Sequence, residues 1–188
     1  KLDETNNTLT AYNNHTAASV ALCVAANGIV WAASANSIVK KYNAEKNSFT
    51  EYDINKIYKS NSPVFIQTMY PVSDTTILIA TLQQVLLFNT KTSSLTNIFK
   101  NTAWQKNIQV HKIIQQSINV FWLGTENGMY ILDLSTNKNV HIQKQYADPY
   151  SINDNVITDF CKDKEGNTWV GTFFGGVNYY SKQLSQFQ

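Results

Sequence analysis

Apolar residues in this chain fall into short runs, broken at close intervals by Asn, Asp, Ser, Thr and Gly. Runs of that length suit strands, and the residues that break them are those that favour turns. One four-residue segment recurs: WAAS at Trp31–Ser34, LIAT at Leu78–Thr81, WLGT at Trp122–Thr125 and WVGT at Trp169–Thr172. Its first residue returns every 44 to 47 positions. Before each copy lies an apolar segment and a turn: VALCVAANGIV, VFIQTMYPVSDTTI, IQVHKIIQQSINVF and VITDFCKDKEGNT. After each copy comes a tight turn and a short strand: IVKKY, VLLF, MYILDL or VNYYS. A polar turn and a last strand follow: SFTEY, SLTNI, NVHIQ or SQFQ.

Each repeat therefore predicts four short strands in about 45 residues, the make-up of a β-propeller blade. The expected fold is all-β, with four four-stranded antiparallel blades at 17–52, 63–98, 107–143 and 155–188 forming one propeller segment over 1–188. Sheets covered on both faces carry near-continuous apolar strands, as the inner strands here largely do. A sandwich would alternate apolar and polar positions more cleanly. In the last two strands, anchors sit seven apart in Tyr42/Phe49, Phe88/Leu95 and Tyr180/Phe187. Leu132 and Val140 stand eight apart, which predicts one inserted residue in the third repeat. Leu2 and Leu9 are again seven apart, so 1–13 reads as the end of a preceding blade and the chain as a stretch of a longer array. Cys23 and Cys161 hold one repeat position, with Ile114 in that place in the third repeat. Both cysteines read as small buried apolar residues, and neither has a metal-binding spacing. The recurring tryptophans read as inter-blade core.

Composition narrows the partners. The chain has 188 residues, 43% hydrophobic and only 15% charged, with a net charge of +2. Every basic residue is lysine. Arginine is the usual residue for bidentate grip on phosphate or guanine, so neither nucleic acid binding nor phosphoryl transfer is expected here. No apolar run reaches the ~18–20 residues that span a bilayer, so no membrane segment is expected in this chain.

Reaction chemistry is sparse. His15, His111 and His141 stand singly, outside metal-ligand spacing. No nucleophile elbow, zinc-protease helix, P-loop or dinucleotide fingerprint occurs. Gly175-Gly176 reads as a hairpin turn, and Asp163 to Asn167 as a tight turn rather than half a calcium loop. Asp159 and Lys112, at the starts of inner strands, read as isolated. No catalytic residue, metal or cofactor is expected.

The last repeat, Tyr146 to Phe187, resembles the two-component regulator propeller repeat. The matching features are Asn155-Val156, Asp163 with Gly166-Asn167, Trp169 to Thr172, Gly175-Gly176, Tyr179-Tyr180 and Phe187. The third repeat matches through WLGTENGMYILDL. The first two depart further, with Ala33 and Ala80 where Gly124 and Gly171 stand, and Leu78 in place of tryptophan. The resemblance implies the periplasmic portion of an inner-membrane receptor, built from seven-bladed propellers, often two in tandem. Such sensors precede an immunoglobulin-like segment, a membrane helix and a histidine kinase. Hybrid forms add a receiver and a DNA-binding domain. The family typically senses oligosaccharides released from glycans and controls the matching utilisation genes. GTFFGGVNYY resembles the closing blade of a first propeller. The remaining blades of the same receptor and a second copy are the implied partners.

In a propeller, the loop between the second and third strands shares a face with the connection between blades. Binding residues concentrate on loops held by a rigid scaffold. Asn36, Glu126, Asn127, Phe173 and Phe174 fall on that face, as do Tyr150, Asn153 and Asp154 from a long inter-blade connection. Trp104 lies in a polar connection. Exposed aromatics stack on sugar faces while Asn and Asp bond hydroxyls, so an oligosaccharide is the expected ligand. Packing of Phe173 and Phe174 on a neighbouring blade or a second propeller is the plainer reading and is favoured over direct ligand contact. A scaffold for protein partners and a propeller lyase or glycosidase stay open as alternatives. The last would need converging carboxylates or a metal at the central channel.

Overall fold

The computed structural model describes residues 18–59, 63–99 and 109–182, and the backbone of two short strands near the N-terminus. Those two, β1 (Leu2–Asp3) and β2 (Thr8–Leu9), pair antiparallel with Leu2 opposite Leu9. Trp104, His15 and Phe187 lie outside the described residues.

The first sheet is β3 (Ser19–Val24), β4 (Val30–Ser34), β5 (Ile38–Asn43) and β6 (Ser48–Asp53). A one-turn helix, α1 (Ile54–Tyr58), follows. The second sheet is β7 (Ile66–Pro71), β8 (Thr76–Thr81), β9 (Val85–Asn89) and β10 (Ser94–Asn97). The third is β11 (Val110–Ser117), β12 (Val120–Thr125), β13 (Gly128–Asp133) and β14 (Lys138–Ile142). The fourth shows β15 (Ile157–Lys162), β16 (Thr168–Thr172) and β17 (Val177–Tyr180), the expected outer strand SQFQ falling outside the described residues. Every sheet is an antiparallel meander. The inner strands β3, β7, β11 and β15 meet neighbour to neighbour, so the sheets radiate from a common axis in chain order.

Local chemistry repeats as faithfully as the sheets. Each inner strand carries a bulge at one place, with Val20, Gln67, His111 and Thr158 as the extra residues. A bulge bends a strand and sharpens its twist, which suits strands that must curve away from a shared axis. Between third and fourth strands a four-residue loop recurs. It opens on Asn43, Asn89 or Asp133, whose side-chain oxygens accept backbone N–H bonds from Lys46, from Lys91 and Thr92, and from Ser135 and Thr136. It closes on Asn47, Ser93 or Asn137 at φ of +48°, +51° and +53°. Short polar side chains suit both places, because they mimic a turn and tolerate the left-handed conformation. Phe49 therefore faces Tyr42, Leu95 faces Phe88, and Asn139 faces Leu132. The expected insertion in the third repeat does not exist; the anchor there is polar, which moved the apparent spacing to Val140. Helix α1 was not legible either. Asp53 caps it by accepting from Lys56 N–H, and Ile54 is fully buried beneath it.

The cores lie between sheets. Trp31, Ala33 and Val39 of the first sheet pack against Ile66, Met69, Leu86 and Phe88 of the second. Leu78, Ala80 and Val85 repeat this against Val110, Ile113, Tyr130 and Leu132. Trp122 and Met129 repeat it against Ile157, Phe160 and Val170. The same positions on the fourth sheet have no further sheet packed against them among the described residues: Trp169 is 43% exposed and Val177 60%. The expectation of buried motif tryptophans thus holds for Trp31 and Trp122 and fails for Trp169. Cys161, facing Trp169 on the next strand, is exposed for the same reason, whereas Cys23 is half-buried and its thiol is pushed up to about 11 by burial. The opposite end is equally bare, with Val20, Leu22 and Val24 exposed on the first sheet. Among the described residues the four sheets form an open arc.

Gly124 shows how closely the sheets approach. A Cβ there would sit 2.7 Å from Ile157 Cγ2 and 3.1 Å from Ile157 Cβ and Phe160 Cε2. Gly124→Ala is expected to destabilise the fold by about 1–3 kcal/mol, the usual cost of overpacking. Gly171→Ala, whose Cβ would come no nearer than 3.3 Å to Thr158 Oγ1, is expected to cost less. Urea denaturation of both variants checks the ranking. The two bare faces are built like the buried ones, so the isolated chain is expected to associate head to tail. Light scattering should give a mass above one chain, which Leu22→Lys lowers; a compact monomer of the unaltered chain would contradict this.

Candidate functional site

Four of the sequence-selected residues come together at one end of the fourth sheet. The connection from Gln143 to Val156 runs along that end and is held by its own polar groups. Asn155 Oδ1 accepts Lys144 N–H at 2.7 Å, and the Asn155 carbonyl accepts Gly128 N–H at 2.6 Å. Asn155 thereby ties the connection to the third sheet. Ser151 Oγ accepts Gln145 N–H at 3.0 Å and lies 2.9 Å from the Gln145 carbonyl. Asp154 Oδ2 accepts Phe174 N–H at 2.9 Å, and Asn153 Nδ2 donates to the Gly175 carbonyl at 3.4 Å. A Cβ on Gly175 would lie 2.8 Å from Asn153 Cβ, so glycine is what lets the turn close on the connection. Phe173 and Phe174 then project outward, 64% and 84% exposed, in an edge-to-face pair with centroids 4.6 Å apart.

The other candidates disperse. Tyr150 is 96% exposed and shares a groove with Asn153. Asn127 is half-buried on the neighbouring sheet, its carbonyl 2.6 Å from His141 Nε2 and its Oδ1 accepting from Gln143 Nε2 at 2.7 Å. Glu126 beside it is exposed. Asn36 occupies the matching turn of the first sheet, two sheets further along the arc.

Two readings of single residues change. Lys112 and Asp159 are not isolated: they pair across adjacent inner strands, Nζ to Oδ1 at 3.1 Å. Repeat spacing concealed the pair because each residue follows the bulge in its own strand. Asp163 caps its turn, Oδ1 accepting Asn167 N–H at 2.8 Å and Oδ2 accepting Trp169 Nε1–H at 3.2 Å. Its side chain is spent on the turn and the motif tryptophan, and Gly166 supplies the positive φ of +84°.

Sequence reasoning missed the groove that Tyr150 borders. It lies between the third and fourth sheets, with Trp122, Ile142 and Tyr180 in its lining. Trp122 and Tyr180 meet edge to face at 4.9 Å. Asn178 also lines it, its Oδ1 accepting Asn153 N–H at 2.9 Å while its Nδ2 is buried without a partner. Aligning the third strands by register would have exposed it: Lys40, Leu86, Tyr130 and Asn178 share one place.

Sheets that radiate from shared inner strands define the class: the chain folds as β-propeller blades. Residues 151–174 match the sequence model of the family described as two component regulator propeller, which bears out the resemblance of the last repeat. Among solved structures, the chain is similar to the extracellular domain of a protein described as the hybrid two component system BT4673 from B. thetaiotaomicron. Identity is 17%, the TM-score is 0.75, and the match covers 93% of this chain and 23% of that one. A second such domain, from BT3049 of the same organism, gives 16% identity and a TM-score of 0.52 over 96% of this chain and 28% of that one. Virginiamycin B lyase from Staphylococcus aureus shares the fold at 13% identity and a TM-score of 0.67, over 94% of this chain and 60% of that one. This chain thus spans about a quarter of the two-component domains it matches. No curated protein sequence matches it.

The Asp154 contact gives the site a pH signature. The Phe174 N–H holds the Asp154 carboxyl below the usual carboxylate range. Its contribution is fully present above the ordinary value of about 3.9 and fades as pH falls through the lower folded value. Acidification through that window is expected to free the Phe173–Phe174 turn while the sheets persist. Hydrogen exchange at Phe174 N–H checks it, and Asp154→Asn should flatten the response.

Proposed function

We propose that this chain is part of the extracytoplasmic, ligand-sensing propeller of a hybrid two-component sensor histidine kinase, and that it reads oligosaccharides released from glycans. In this reading it is the periplasmic portion of an inner-membrane receptor and is itself non-catalytic. The remaining blades of the receptor cover the two bare faces. A second copy pairs with it in the intact receptor, and the downstream output switches on genes for glycan use. One observation carries the reading: a hydrogen-bonded end-face cluster that presents exposed aromatics beside amides and a carboxylate. Aromatic faces take the C–H side of a sugar ring, and Asn and Asp take its hydroxyls. The likeness of the fold to extracellular two-component domains supports the setting.

A ligand shifts a signalling equilibrium only by binding one arrangement better than another. A pinned connection suits that role, because little ordering remains to be done when the ligand arrives.

The exposed Phe173–Phe174 pair favours a second reading, a surface for a protein partner. Calorimetric titration with oligosaccharides separates the two. Saturable binding that Phe173→Ala/Phe174→Ala or Tyr150→Ala weakens is the expected result. Failure of every sugar to bind, with the same phenylalanine variant losing a protein contact, would replace the sensing reading by the scaffold one.

A further inference from the structure

We propose that the connection between the third and fourth sheets couples their end turns, at 125–128 and 172–176, into one unit that orders and opens together, with Asn155 as the positioning residue at its centre. This deepens the sensing reading above and rests on it for its biological role, though not for its geometry.

The third-sheet turn is held by the connection and by its own side chains. Asn127 Oδ1 accepts from Gln143 Nε2 at 2.7 Å, and its carbonyl lies 2.6 Å from His141 Nε2. Thr125 Oγ1 accepts Asn127 N–H at 3.1 Å and donates to the Gly128 carbonyl at 2.7 Å. Gly128 N–H crosses to the fourth sheet's side of the gap and donates to the Asn155 carbonyl at 2.6 Å.

The fourth-sheet turn is held by the neighbours of Asn155. Asp154 Oδ2 accepts Phe174 N–H at 2.9 Å, the Val156 carbonyl accepts Phe173 N–H at 3.0 Å, and Asn153 Nδ2 donates to the Gly175 carbonyl at 3.4 Å. Residues 153–156 therefore grip both turns within four positions. The peptide between Asn155 and Val156 joins the two grips. Its carbonyl oxygen takes the Gly128 N–H, and its N–H, that of Val156, supports the Asp154 carboxylate that holds Phe174. A peptide unit is planar and rotates as a whole, so a rotation that frees Gly128 also disturbs Asp154. Asn155 Oδ1 fixes that rotation by accepting Lys144 N–H at 2.7 Å.

The first gap shows what is particular here. Val64 holds the place of Asn155, two residues before its inner strand. Its carbonyl accepts from Ser37 Oγ on the preceding sheet's turn, and its N–H donates to Asn55 Oδ1 at 2.7 Å. The bond across the gap is thus shared by the two connections. In the first, the supporting side chain comes from α1; in the other, one residue supplies both the crossing carbonyl and the side chain that orients it. A contact that pins Phe173 and Phe174 would therefore also steady Glu126 and Asn127, and the effect runs equally in reverse.

Amide hydrogen exchange of the whole chain at neutral pH, read residue by residue by NMR, tests this, because exchange reports local opening. Asn155→Ala is expected to speed exchange about fivefold at Gly128 N–H, the effect of one lost hydrogen bond. It should do the same at Phe174 N–H, which bonds to Asp154 rather than to Asn155. The strand amides of Leu123 and Val170 should keep their rates, which shows that the sheets stay folded. Asn155→Asp, which retains an acceptor at Oδ1, should restore both turns together. From the other side, Asp154→Ala should speed Gly128 as well as Phe174, and the double variant should add little to either single one. Variants that each disturb only the amide they bond, with additive effects in the double, would overturn the coupling and leave two independent turns. These rates involve no ligand, so their failure leaves oligosaccharide sensing standing, and a chain that binds no sugar leaves the coupling standing.

Discussion

The structure depends on face-to-face packing between successive sheets. A four-stranded sheet of this size has no core of its own; it buries its apolar residues only against the next sheet. Two features of the recurring motif make that contact close. Its first residue is large and apolar, and its third is Gly or Ala. Trp31, Leu78 and Trp122 fill the space while Ala33, Ala80 and Gly124 let the next inner strand approach. Each covered aromatic removes ~150–250 Å² from water, on the order of 4 kcal/mol before entropy is counted. Trp169 and Val177 carry the same chemistry without a further sheet over them among the described residues, which leaves adhesive surface at that end.

Within each sheet, turn chemistry keeps those contacts in register. The Asn-or-Asp-opened loops close on a left-handed residue at the same count in three sheets, which fixes the third strand against the fourth. The bulges in the inner strands put the residues on either side of them on one face. Ile66 and Met69, Val110 and Ile113, and Ile157 and Phe160 are thus buried three apart, where an unbulged strand would bury residues two apart.

That is why the repeats were legible and several single residues were not. Strand number, order and the motif itself follow from local patterning, which the sequence states four times over. Burial of Cys161 and Trp169 does not, because it depends on whether another sheet lies beyond theirs. The Lys112–Asp159 pair depends on two bulges in different repeats, and strict alternation along a strand cannot place either side chain. The apparent insertion at Val140 arose from counting apolar anchors when the anchor position was Asn139. At the end face, the Asn153, Asp154 and Phe173–Phe174 cluster was found because its members sit on loops. Asn178 was passed over because it sits in a strand, where a polar residue looks like an ordinary solvent-facing position.

Asn178 also shows what a single strand position decides in a stacked-sheet scaffold. Turns vary freely, yet they present side chains to bulk water, where each hydrogen bond competes with solvent. Leu86 and Tyr130 show that the same place can close the gap completely. A single change of residue type at one strand position therefore converts a packing contact into an opening, while the fold is carried by the neighbouring interfaces, which remain filled. Repeated architecture permits such an exchange: the inter-sheet contacts are nearly independent of one another, so the weakness introduced by one polar residue stays local.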